Sequence, residues 1–102
     1  MQKNANYSEI DSFTVEDVLL AVTQRAGTEH RSFRLQKQYE QDGEVKHTAY
    51  LSHRHVPALV TLALRYLKEY GDYNKLRVLQ QIRVDVNTTI DRYEKEIEQE
   101  RQ

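Results

Sequence analysis

The sequence has no cysteine, one proline and three glycines. It has no apolar run approaching the roughly 20 residues that a membrane-spanning helix needs. Without thiols there is no disulfide framework, no thiolate zinc site and no thiol catalysis, and the composition suits a reducing compartment. The glycines, Gly27, Gly43 and Gly71, are accounted for as helix stops and a turn, which leaves none for a phosphate loop or a dinucleotide fingerprint. A nucleophile elbow of the G-x-S-x-G kind is also missing. The opening stretch MQKNANYSEIDSF lacks the basic and apolar regions of a secretory signal, so the Asn87-Thr88-Thr89 glycosylation pattern reads as accidental. These absences predict a cytoplasmic, non-catalytic protein with no cofactor and no membrane partner.

What is present is charge, unevenly spread. The formal net charge is −1. Residues 1–30 have a balance of −3, residues 31–83 of +5 and residues 84–102 of −3. A basic middle between acidic ends marks either a polyanion-binding face or ends that pair with the middle, within one chain or across a dimer.

The hydrophobic pattern predicts an α+β domain with the order α-β-β-α-α over residues 12–98, after a loose segment 1–11 and before a frayed end at 99–102. Ser12 or Thr14 can cap a first helix, Glu16 and Asp17 suit its first turn, and Val15, Val18, Leu19 and Val22 form its apolar stripe before Gly27. The β-branched content makes a strand over Val18–Thr23 the competitor. Residues 31–51 read as a β-hairpin around Asp42-Gly43. Phe33, Leu35, Tyr39, Val45, His47, Ala49 and Leu51 are expected on its packed face, with Arg34, Gln36, Gln38, Lys46, Thr48 and Tyr50 on the other. Pro57 starts the most apolar helix, PALVTLALRYLKEY, closed by Gly71. Val56 before it is expected to be extended. One stripe of this helix holds Leu59, Leu62, Ala63, Tyr66 and Tyr70. A second holds Val60, Leu64 and Leu67, so two sides of the helix require cover.

A last helix is expected from about Tyr73 to about Glu98, with a kink near Asn87 where VDVNTTI is poor helix-forming sequence. Its seam of Leu79, Ile82, Val86, Ile90, Tyr93 and Ile97 outruns the partners that one short domain supplies. That excess predicts a homodimer interface, against the competing arrangement of a helical hairpin folded back on its own domain. The acids Glu94, Glu96, Glu98 and Glu100 read as a solvated helix end.

Three further sets of side chains are candidates for chemistry. His53 and His55, on one side of an extended segment, are weak metal ligands with His47 as a third, and no carboxylate or cysteine completes the set. Arg54 beside the helix start at Pro57 outlines a seat for an anion. Arg31, Arg34, Lys46, Tyr50, Arg54, Arg77 and Arg83 form the alternative, a basic surface with one ring for nucleic acid, without a recognised motif and in a chain of pI about 6.4. The function these patterns favour is a homodimeric binding module with an unidentified protein partner, and the alternative is a nucleic-acid-binding accessory protein.

Overall fold

The computed structural model describes residues 6–101 of the 102. The fold is α+β: β1 (Tyr7–Val15), β2 (Val18–Arg25), β3 (Arg31–Gln41), β4 (Glu44–Thr48), α1 (Val56–Tyr70) and α2 (Leu76–Glu100). Short 3₁₀ turns, His53–His55 and Tyr73–Lys75, lead into the two helices. The residues gather into two units, Met1–Tyr66 and Leu67–Gln102.

The first unit is built on a four-stranded antiparallel sheet in the order β1-β2-β3-β4. The helix expected after Ser12 is instead the hairpin β1–β2, with Val15 paired to Val18 across a turn at Glu16-Asp17. The competing strand reading of Val18–Thr23 was the correct one. Val18, Leu20 and Val22 alternate onto one face and are buried, and β-branched side chains suit that pleated surface. Two features hid the hairpin. Glu16 takes a φ of 56° in the turn, where glycine or asparagine is the usual signal. A β-bulge between Glu9 and Asp11 leaves Ile10 out of the pairing and breaks the alternation along β1. Of the segment expected to be loose, residues 1–5 lie outside the described residues, and Tyr7–Asp11 belong to β1. Gly27 lies between β2 and β3 and ends no helix.

The hairpin at Asp42-Gly43 forms as expected, with both turn residues at positive φ. Its faces differ from expectation. A two-residue turn pairing Gln41 with Glu44 matches Tyr39 to Lys46 and Gln38 to His47. Odd positions on β3 therefore face the same way as even positions on β4, so Lys46 and Thr48 share the face of Leu35 and Tyr39. Val45 and His47 share the face of Arg34 and Gln38, and Val45 is exposed. A shift of one in parity exchanges every side chain of a strand between faces.

α1 covers the sheet face that carries Phe13, Val18, Leu20, Val22 and Phe33. The Arg65 guanidinium lies 4.9 Å above the Phe13 ring, and the Tyr66 and Phe33 rings are 5.8 Å apart. Ala58 and Leu62 are buried there, with Leu59 and Tyr66 partly so. Only this side of the helix is covered, because Val56, Val60 and Leu64 remain exposed. Val56 is helical (φ −57°, ψ −45°) rather than extended. The 3₁₀ turn His53–His55 has already begun the helix, and the His53 carbonyl that an N–H at position 57 would reach accepts the Val56 N–H instead, so the proline breaks no bond.

In the second unit, Asp72 accepts a hydrogen bond from the Asn74 N–H at 3.0 Å and so caps the 3₁₀ turn before α2. A Cβ on Gly71 would lie 2.5 Å from the Leu67 carbonyl oxygen, so the close of α1 admits no larger residue without backbone movement. α2 runs unbroken through Asn87 for 25 residues. The Thr89 hydroxyl donates to the Asp85 carbonyl (2.8 Å), and Gln81 donates to the Asp85 carboxylate (3.0 Å), which satisfies polar groups of the weakest stretch locally. The helix ends at Glu100, two residues past the expected Glu98. The Arg101 N–H bonds back to the Ile97 and Glu98 carbonyls, and Gln102 lies outside the described residues.

Candidate functional site

The densest polar cluster of the first unit joins the β1–β2 turn to the start of α1. His55 is 1% exposed. Its Nδ1 accepts the Ser52 backbone N–H at 3.0 Å, with the Ser52 hydroxyl 3.1 Å away, and the His55 N–H donates to the Ser52 carbonyl at 3.0 Å. A backbone N–H can only donate, so this geometry assigns the imidazole proton to Nε2. Nε2–H donates to Asp17 Oδ2 at 3.3 Å, and the Arg54 guanidinium reaches the same oxygen at 3.1 Å. The Asp17 carbonyl accepts the Gln38 N–H at 3.0 Å. Burial pushes the Asp17 carboxyl up. Hydrogen bonds from His55, Arg54 and its own backbone N–H, with the Arg54 charge, outweigh this and hold it below its ordinary value of 3.8.

The order Ser52–His55–Asp17 resembles a nucleophile, base and orienting acid, but the local geometry is that of a helix cap. In a capping box, the residue three after the cap reaches back to the cap's N–H, and His55 takes the place usually held by glutamate. The Nδ1 lone pair that would receive a serine proton is already engaged by an N–H, and the imidazole is enclosed. Arg54, expected beside an anion seat, is paired with the protein's own carboxylate, Asp17.

The metal reading loses its geometric premise. His53 and His55 lie in a 3₁₀ turn rather than an extended segment, so they do not project to a common side. His55 is committed to Ser52 and Asp17, and His47 lies 3.4 Å from the Gln38 amide. Among the described residues no group of three His, Cys, Asp or Glu is placed to hold a metal ion.

Within the first unit, the basic strand residues expected for nucleic acid do not share one face of the sheet. Arg34 is on the outer face of the sheet, paired to Glu9 at 3.6 Å and hydrogen-bonded to Gln36. By register, Arg31 and Lys46 belong to the opposite face. Arg54 is held by Asp17, Tyr50 is 88% exposed, and Arg77 and Arg83 belong to α2 in the second unit. The Glu9–Arg34 ion pair sits in a shallow depression lined also by Tyr7, Thr23, Ser32 and Phe33.

α2 presents the seam the sequence predicted. No described residue of this helix is buried, and only Leu79 and Ile82 are partly so. Val86, Ile90, Tyr93 and Ile97 are 42–55% exposed. Their order is heptad-like: Leu76, Arg83, Ile90 and Ile97 at one seam position (a), and Leu79, Val86 and Tyr93 at the other (d), with Ile82 flanking Arg83. Outside the seam, Arg92 and Glu96 form an i,i+4 ion pair at 3.2 Å.

The helix charges run against its dipole. Its first turn has no acid and its last turn no base. Lys75, Arg77 and Arg83 stand toward the positive end, and Glu94, Glu96, Glu98 and Glu100 toward the negative end, the reverse of what a lone helix favours. Among the described residues no helix is long and apolar enough to cross a membrane. Compared with family models, curated proteins and solved structures, the chain matches none.

Proposed function

We propose that this protein is a non-catalytic binding module that works as a homodimer, in the manner of a protein-interaction or adaptor element, and that the apolar face of α2 is its dimer seam. The observation that carries this reading is a 25-residue helix with apolar residues at every heptad seam position from Leu76 to Ile97 except Arg83, and none of them buried. Val86, Ile90, Tyr93 and Ile97, each passing from about half exposed to buried, contribute about 1 kcal/mol each, and the already part-buried Leu79 and Ile82 about half as much, or about 10 kcal/mol for two copies. Association costs at least about 4 kcal/mol. The difference, about 6 kcal/mol, corresponds to dissociation at tens of micromolar as the tightest the seam supports. The dispersal of the basic residues over both faces of the sheet weighs against the nucleic-acid alternative, and the capped, enclosed His55 weighs against catalysis.

Sedimentation velocity from low to high micromolar concentration tests the proposal. The 12.1 kDa chain is expected to shift toward twice its mass, and Ile90→Asp, at an exposed seam position, is expected to hold it monomeric. A chain that stays monomeric at high micromolar concentration overturns the dimer. Salt-sensitive oligonucleotide binding by that monomer would transfer the assignment to nucleic acid.

A further inference from the structure

We infer that the two copies of α2 pair antiparallel, centred near Thr88, an inference that rests on the dimer reading above. Two independent features fix the direction. The first is charge. The amino-terminal part of the helix, with Lys75, Arg77 and Arg83, has no acid before Asp85, whereas Asp85–Glu100 has six acids against Arg92 and Lys95. Parallel pairing sets like-charged halves side by side. Antiparallel pairing sets Lys75 and Arg77 level with the partner's Glu98 and Glu100, and also sets the positive end of each dipole against the acids of the other. The unfavourable charge order within one helix becomes complementarity between two.

The second feature is Arg83, the one charged residue at a seam position between Leu76 and Ile97. In a parallel pair the seam positions meet their own copies, and two guanidinium groups would be pressed together between apolar side chains, a costly burial of like charges. In an antiparallel pair one seam position packs against the other. With the centre near Thr88, Leu79 meets the partner's Ile97, Val86 meets the partner's Ile90, and Arg83 lies against the partner's Tyr93. That last contact places a cation on an aromatic face that is half exposed in the single chain.

The absence of native cysteine makes the direction measurable in the full chain. Gln81, Thr88 and Lys95 are all exposed, stand seven residues apart and share one outward face, so Gln81→Cys, Thr88→Cys and Lys95→Cys can each carry a single nitroxide label. In an antiparallel pair centred at Thr88, labels at Gln81 and Lys95 are offset along the axis by about 21 Å from their copies, and labels at Thr88 by almost nothing. Pulsed dipolar spectroscopy on each variant is therefore expected to give its shortest distance at position 88, with longer ones on both sides. Three equal distances mean parallel helices and overturn the inference while leaving the dimer standing. No dipolar coupling at any position, together with monomer by sedimentation, removes the dimer and this inference with it.

Discussion

Asp17 is the residue on which three chain segments converge. Its carbonyl is tied to β3 through Gln38, and its carboxylate is tied to Arg54 and His55 at the start of α1. Glu16 beside it holds a left-handed backbone conformation that costs a non-glycine residue about 1–2 kcal/mol. Those contacts offset the strain and set the turn's direction. Because the folded state holds the Asp17 carboxyl below its ordinary value of 3.8, the carboxylate contributes stability that is fully present above that value. The contribution is lost as pH falls through the lower, folded value. Asp17→Asn is therefore expected to lower the chemical-denaturation midpoint at neutral pH, with the gap from wild type narrowing below about pH 3.8. A gap that stays constant down to pH 2 would show that the carboxylate's charge is irrelevant to the junction. In the sequence, Arg54 and His55 stood out as a charged cluster at a helix start, but their partner did not. An acid in the first turn of a supposed helix gives no sign that it pairs with side chains at the start of a different one.

At the scale of elements, α1 offers a controlled comparison. Leu62 is fully buried against the sheet, and Leu64, two residues on, is 38% exposed on the uncovered side. Leu62→Ala is expected to cost about 2–5 kcal/mol, the range for a truncated core side chain, and Leu64→Ala less than about 1 kcal/mol. Equal costs in urea denaturation would mean that Leu64 is covered in solution. Both stripes of this helix were legible from spacing alone, as were α2 and the Asp42-Gly43 turn. The covering of the second stripe was not, since periodicity reports that a face is apolar without reporting what lies on it. The register of β3 on β4 was also readable in principle, because a two-residue turn requires odd positions to oppose even ones. Alternating hydrophobicity suggested otherwise, and turn geometry prevailed. The β1–β2 hairpin was not readable from spacing, because its valines fit helical spacing as well as strand alternation and its turn lacks glycine.

At the scale of the whole molecule, the three blocks of charge find different uses. The acidic first block meets the basic middle inside the chain, through Glu9–Arg34 and Asp17–Arg54. Exposed pairs of this kind add little stability, usually under about 1 kcal/mol each, but they engage Arg34 and Arg54 within the chain. The acidic last block lies on α2, where the proposed second copy supplies its counterpart. Of the candidate site, the seam on α2 was legible because three-and-four spacing over so many residues has few other readings. The dispersal of the basic residues was not, because it depends on strand register.

The meander has a kinetic consequence. Strands β1 to β4 neighbour one another in space in their order along the chain, joined by turns of only a few residues, so the sheet forms through local contacts at small loop-closure cost. The contacts from Asp17 to Arg54 and His55 instead close 37 and 38 residues. Folding is therefore expected to build the sheet first and to dock the start of α1 after the rate-limiting step. In stopped-flow experiments at concentrations where the chain is monomeric, Asp17→Asn should speed unfolding and leave the refolding rate nearly unchanged. A refolding limb that slows in proportion to the lost stability would place the junction in the nucleus, and the long loop, rather than the short ones, would then set the pace.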